Sequence, residues 1–174
     1  MHYFTLYFGL LLFSLNSFAH GPTPQKAIES ITIHAPVAKV WLFLKDFDGI
    51  ANWHPDLKSS EGDGKNEPNG KRALVFQNGE SLVEELDHYN EQEHEYSYRL
   101  KTENTNAFPT SSYSIQIKVV HGDSAESSLV TLKSRFYRGD TGNAPPENLN
   151  DEAAVKAMTQ YFKNGLEGLK SKFE

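Results

Sequence analysis

Apolar and polar residues alternate from Ala27 to Ala35, with Ala27, Glu29, Ile31 and Ile33 on one face and Ile28, Ser30, Thr32 and His34 on the other. That period predicts a first strand. Pro36 then stands where a first helical turn tolerates a missing N–H. Val37, Val40, Trp41 and Leu44 follow at spacings of three and four, which predicts an amphipathic helix ending near Asp46. Asp48 to Trp53 suits a second short helix, closed by His54-Pro55 because a residue before proline avoids the helical region.

Beyond Pro55 the punctuation becomes that of strands and turns. Leu57–Glu61 reads as a short strand, and Gly62–Gly70 as a polar turn rich in Gly, Asn, Asp and Pro. Lys71–Gln77 and Glu80–Tyr89 flank Asn78-Gly79, the dipeptide that best suits a tight hairpin. Asn90–Glu93 is a further turn. Glu95–Thr102, Ser111–His121 and Ser127–Tyr137 are three more strands, and Gly139–Asn150, with Pro145-Pro146, is a loop. The last element runs from Asp151 to Phe173 with Val155, Met158, Phe162, Leu166, Leu169 and Phe173 on one stripe. Asn150 is placed to cap it, and Asp151 and Glu152 suit its first turn.

Consecutive strands pair most simply as an antiparallel meander. A meander with one apolar face needs a cover, and the final helix is the long amphipathic element available to it. The expected fold is therefore α+β of the helix-grip type. A curved antiparallel sheet of about seven strands wraps a long C-terminal helix, with two short helices after the first strand. Curvature around a helix leaves a space between the two layers, where a ligand would sit.

Composition narrows the function. The chain has 174 residues, a formal net charge of −6 and no cysteine. The length suits one domain with a core of its own. The acidic balance speaks against a nucleic-acid partner, and the absence of cysteine removes disulfides, thiolate nucleophiles and Cys-ligated metals. An apolar run from Phe4 to Leu15, followed by Ser17-Phe18-Ala19, has the form of an export signal cleaved after Ala19 and is too short to span a bilayer comfortably. The expected organisation is a signal peptide over 1–19, an extended leader over 20–26 and one exported, periplasmic domain over 27–174, with no stable membrane span after processing.

Candidate chemistry follows from the faces. Arg72, Leu74 and Phe76 share one face of the incoming hairpin strand, and Leu82, Glu84 and Leu86 one face of the outgoing strand. A charge on such a face must be paired. Arg72 and Glu84 therefore either anchor a ligand or neutralise each other. Aromatics at inward positions (Trp41, Trp53, Tyr98, Tyr113, Phe136) and Met158 and Phe162 of the last helix line the expected pocket or fill the core; tyrosine is the type whose buried hydroxyl has something to offer a ligand. His54, with Glu84 and Tyr98, is the acid–base set an enzyme would use; the alternative is a histidine at a helix end bonded to backbone carbonyls. His20, as a mature N-terminus, would present an amine and an imidazole suited to Cu(II), given a second imidazole from His34, His88, His94 or His121. No HExxH motif or i, i+4 histidine pair is present. No resident cofactor or metal is expected. The Gly139–Asn150 loop beside Arg138 and Asp140 is either a docking loop or a plain connector.

The stretches ESITIHAPVAKVWLFLKDFDGIANWHPDLKSSEG (29–62), NGESLVEELDHYNEQEHEYSYRL (78–100) and SLVTLKSRFYRGD (128–140), together with the final helix, resemble the SRPBCC superfamily of START-like or Bet v 1-like helix-grip proteins, including the polyketide cyclase/dehydrase relatives. AHGPTPQK (19–26), FYRGD (136–140) and NDEAAVKAMTQYFKNGLEGLK (150–170) are similar to the exported MxaD-like proteins of methanol dehydrogenase systems. That resemblance implies an accessory role: assisting methanol dehydrogenase or its electron transfer to a c-type cytochrome. The expected cavity adds room for a small hydrophobic ligand. The rival expectations are a small cyclase/dehydrase-like enzyme and a lipid or isoprenoid carrier.

Overall fold

Seven runs of alternating residues become the strands of one antiparallel sheet. They are β1 (Gln25–Ile33), β2 (Leu57–Gly62), β3 (Lys71–Phe76), β4 (Ser81–Asn90), β5 (Glu95–Thr102), β6 (Thr110–His121) and β7 (Ser128–Arg138). The structure is a computed structural model in which residues 21–174 are described; the expected signal segment 1–19 and His20 lie outside them. Strand order is β1-β7-β6-β5-β4-β3-β2. From β2 to β7 this is the expected meander. β1 departs from it by pairing with β7, Ala27 opposite Ser134 and Ile33 opposite Ser128, so β1 and β2 end at opposite edges. Helix α1 (Val37–Leu44) and a 3₁₀ turn over Phe47–Asn52 carry the chain between those edges. The Asp46 carboxylate starts the 3₁₀ turn by accepting from the Asp48 N–H at 3.2 Å.

Helix α2 (Asp151–Lys170) packs against β1 and β7. The Asn150 side chain accepts from the Ala153 N–H at 2.9 Å, satisfying one of the donors a helix start leaves open. The buried face of α2 is Ala154, Met158, Tyr161, Phe162, Gly165, Leu166 and Leu169. The expected stripe is fully buried from Met158 to Leu169, and its ends, Val155 and Phe173, pack against the core only partly buried. Val155 is half-buried, and Phe173 lies past the last helical residue, edge-to-face with Phe43 of α1 at 5.6 Å between centroids. The α+β helix-grip architecture is otherwise the expected one. Ile33, Ile117, Val130, Phe136, Met158, Phe162 and Leu169 reach full burial between the layers.

Candidate functional site

The β3–β4 hairpin places Arg72 directly opposite Glu84. Alternation turns both inward, because their neighbours Leu74 and Leu82 are buried on the same face. The Arg72 Nε and Nη2 each lie 2.6 Å from Glu84 Oε2, and Nη1 donates to the Phe47 carbonyl. The other carboxylate oxygen, Oε1, accepts from the Tyr113 hydroxyl at 2.6 Å. The guanidinium lies between two aromatic faces, 4.0 Å from the centroid of Phe47 and 4.5 Å from that of Tyr98. Burial disfavours the Arg72 charge, yet Glu84 and the surrounding tyrosines outweigh it and hold the arginine more firmly protonated than usual. Burial first, and the Glu84 carboxylate second, push the Tyr113 hydroxyl well above the tyrosine range, so it remains a donor. The pair is fully desolvated and closely bonded, which is the condition under which a buried ion pair is tolerated.

Tyr161 of α2 closes this layer. Its hydroxyl is buried without a hydrogen-bond partner, as is that of Tyr96. Burial, then the Glu84 charge, raises the Tyr161 pKa well above normal. The Tyr161 ring stacks on His54 at 3.9 Å between centroids. The His54 Nε2 lies 3.0 Å from the Tyr161 carbonyl oxygen; since a carbonyl can only accept, Nε2 carries the proton. Nδ1 then accepts from the Asp56 N–H at 3.3 Å. Burial lowers the His54 pKa to about 3, with the Arg72 charge acting in the same direction. This close approach requires glycine in α2. A Cβ at Gly165 would stand 2.7 Å from His54 Cδ2, and one at Gly168 would stand 2.2 Å from the Trp53 carbonyl oxygen.

On the solvent side of Tyr161 lies a pocket of about 390 Å³, walled by Phe76, Phe108 and Tyr161 and rimmed by Asp56, Asn78 and Gln160. The three rings form a triangle: Phe108 is 5.4 Å from Tyr161, and Phe76 is 6.2 Å from each of the others. Phe108 comes from the β5–β6 connection, which Asn104 ties to the β3–β4 hairpin by donating to Glu80 at 2.8 Å and to the Ser81 carbonyl at 3.0 Å. Phe108 also meets Tyr113 edge-on at 6.1 Å. The pocket wall and the buried ion pair are therefore joined through Tyr113.

This arrangement corrects where a ligand space was expected. Buried side chains of the sheet and α2 pack between the layers, and the pocket at Phe76, Phe108 and Tyr161 lies at one end of them. Among the residues expected around a ligand, Phe76 lines the pocket. Arg72, Glu84, Tyr98 and Tyr113 form the polar layer behind it, with His54 and Trp53 packed against α2. Phe136, Met158 and Phe162 belong to the core. Trp41 is at the other end, within 5.8 Å of Tyr89 and 6.1 Å of Tyr96. His54, Glu84 and Tyr98 do not converge as an acid–base set. His54 bonds to backbone, Glu84 to Arg72 and Tyr113, and Tyr98 offers its ring face to Arg72. Among the described histidines, His34, His88 and His121 are exposed and His94 is half-buried against Trp41. Arg138 is used internally: it binds Asp151 at 3.0 Å and the carbonyls of Asp140 and Gly142 at 2.7 and 2.8 Å, pinning the loop before α2. Sequence reasoning passed over Tyr161 and Phe108. Tyr161 carried a signal, three residues after Met158 on the apolar side of the helix, whereas Phe108 sits in a loop with no periodicity to mark it.

A family model described as polyketide cyclase / dehydrase and lipid transport matches residues 24–174. The solved structure of XoxI from Bacillus cereus is similar with a TM-score of 0.72 at 25% identity, covering 85% of this chain and 94% of that one. Zhui aromatase/cyclase from Streptomyces sp. R1128 is similar with a TM-score of 0.68 at 17% identity, over 86% of this chain and 93% of that one. Ara h 8.0201 gives 0.65 at 18% identity, over 87% and 98%. The last two likenesses are of fold alone. No curated protein matches the chain.

Proposed function

The chain belongs to the polyketide cyclase / dehydrase and lipid transport family, and from that premise we propose that it is a binding protein for a small, largely apolar or aromatic molecule, held at the Phe76–Phe108–Tyr161 mouth. The family description covers catalysts and carriers alike, so the choice rests on the side chains. The observation that carries the reading is Tyr161. Its ring walls the pocket, and its hydroxyl is buried with no partner. A buried unpaired hydroxyl costs about 1–3 kcal/mol, which a ligand carbonyl or ether oxygen reaching it would recover. Three aromatic rings supply the apolar grip.

Binding is favoured over catalysis by the state of the candidate acids and bases. Both nitrogens of His54 are engaged by backbone groups and its ring is neutral. Both oxygens of Glu84 are taken. Burial keeps Tyr98 protonated far beyond neutral pH. None of the three is free to move a proton to or from a guest. In its finer form the proposal is a periplasmic accessory protein, processed after Ala19, that assists methanol dehydrogenase or its c-type cytochrome; the resemblance of 19–26, 136–140 and 150–170 to MxaD-like proteins supports that setting.

The test is a fluorescence titration of the processed chain with an apolar dye, followed by displacement with aromatic ketones and matched hydrocarbons. Saturable binding is expected, weakened about tenfold by Phe108→Ala, with the preference for ketone over hydrocarbon lost in Tyr161→Phe. Binding that Phe108→Ala leaves unchanged would remove the site. Turnover of a bound ketone that His54→Asn abolishes would replace the binding reading with the enzymatic one. The partner reading is tested separately, by retention of methanol dehydrogenase or its cytochrome from a periplasmic extract at low salt.

A further inference from the structure

The outer face of the sheet lays out its charges in cross-strand rows. Lys26 of β1 stands opposite Arg135 of β7, Arg135 opposite Ser114 of β6, and Ser114 opposite Arg99 of β5. The neighbouring row runs Ile28, Lys133, Gln116, Ser97. Toward β4 the charges are matched. Arg99 meets Asp87 at 2.5 Å, and Glu85 lies 3.1 Å from Lys101 and 4.0 Å from Lys71. Toward β1 they are not: Lys26, Lys133 and Arg135 are exposed and have no acidic partner among the described residues. These three cations, with Ser97, Ser114 and Gln116, line a depression of about 440 Å³ on the face turned away from α2; the one acid on its wall, Asp87, is held by Arg99 at 2.5 Å.

Like charges directly opposite each other weaken a sheet, and the Lys26–Arg135 pair is such a contact. It persists in a chain whose net charge is −6; the acid of that row, Glu85 opposite Arg99, lies three strands from Arg135, is taken by Lys101 and Lys71, and does not relieve it. Adjacent strands are about 4.8 Å apart and alternate residues about 6.8 Å apart. The three cations thus outline a triangle of the size of one tetrahedral oxyanion and its ligands. Arg135 contributes a planar fork, the lysines two ammonium groups, and Ser114 a neutral hydroxyl beside the fork. We propose that this depression is a binding site for a multivalent oxyanion of the phosphate class, separate from the aromatic mouth and independent of the function assigned to it.

The test is an amide chemical-shift titration of the processed chain with inorganic phosphate, run at constant ionic strength against chloride. Saturable shifts are expected at Lys26, Ser97, Ser114, Gln116, Lys133 and Arg135. Arg135→Gln should weaken binding about tenfold, and the Lys133→Gln, Arg135→Gln pair should abolish it. These variants relieve repulsion, so without phosphate at low salt they should melt no lower than the parent, which separates lost binding from lost folding. Shifts that never saturate, that chloride reproduces, or that persist in the double variant would overturn the site. Saturable shifts confined to Phe108 and Tyr161 would overturn it equally, by placing the anion at the mouth.

Discussion

Arg72–Glu84 and Arg99–Asp87 are nearly the same contact made on opposite faces of one sheet. Each joins an arginine to an acid twelve residues away, with closest approaches of 2.6 and 2.5 Å. The inner side chains are 0% and 1% exposed, the outer ones 57% and 24%. Inside, both side chains are withdrawn from solvent: Tyr113 serves one carboxylate oxygen, the Phe47 carbonyl serves Nη1 and ring faces lie above and below, while Nη2, close to Glu84, makes no hydrogen bond of its own. Outside, solvent does that work, and salt screens the attraction. Contact distance therefore says little about what either pair contributes; the surroundings decide it.

The contrast is broken most severely by Glu84→Ala, which leaves the Arg72 charge buried and alone. Urea unfolding should show a loss of about 3–5 kcal/mol. Replacing both partners, Arg72→Met with Glu84→Leu, should recover much of it, because no uncompensated charge remains. Acid tests the same inner layer through His54. Its folded pKa of about 3 lies below the unfolded value of 6.5, so below that value the unfolded chain binds a proton that the folded chain refuses. Stability contributed by the neutral ring is complete above the unfolded pKa and falls as pH drops toward 3. Between about pH 6 and about pH 4 the loss should be about 2–3 kcal/mol, and His54→Asn should flatten that part of the profile.

The fit of α2 against the inner layer is probed next. Gly168→Ala improves helix propensity by about 1 kcal/mol, but its Cβ would meet the Trp53 backbone carbonyl at 2.2 Å. Backbone cannot rotate aside, so thermal unfolding should show a net loss of about 1–2 kcal/mol. The smallest effect belongs to the outer pair. Arg99→Ala should cost less than about 1 kcal/mol and less still at high salt, as measured by the same urea series with added sodium chloride. An outer loss as large as the inner one would dissolve the comparison.

The site was legible in pieces. The inward positions of Arg72, Glu84 and Tyr113 follow from alternation alone, and so does the need of the two charges for each other. That His54 bonds to a backbone carbonyl was one of its two expected readings, but that the carbonyl is Tyr161's was not legible: the two residues are 107 apart in the chain, and their contact depends on a glycine, Gly165, whose role is to be small. Phe108 was hidden for a related reason, since a loop residue has no pattern to betray its direction. The pairing of β1 with β7 was not specified by strand order either, because any edge of a meander offers the same unpaired backbone.

What the chain determined by itself was therefore the kind and order of its elements, the faces they bury and the presence of a charge pair that must meet. These are properties of a few neighbouring residues, set by side-chain direction and the avoidance of water. What only the tertiary structure decided was which buried hydroxyls were left without partners, where the layer opened, and which charges on the outer face went unmatched. Those depend on how segments far apart in the chain approach each other, and a difference of an ångström or two there settles whether a group is bonded, blocked or available.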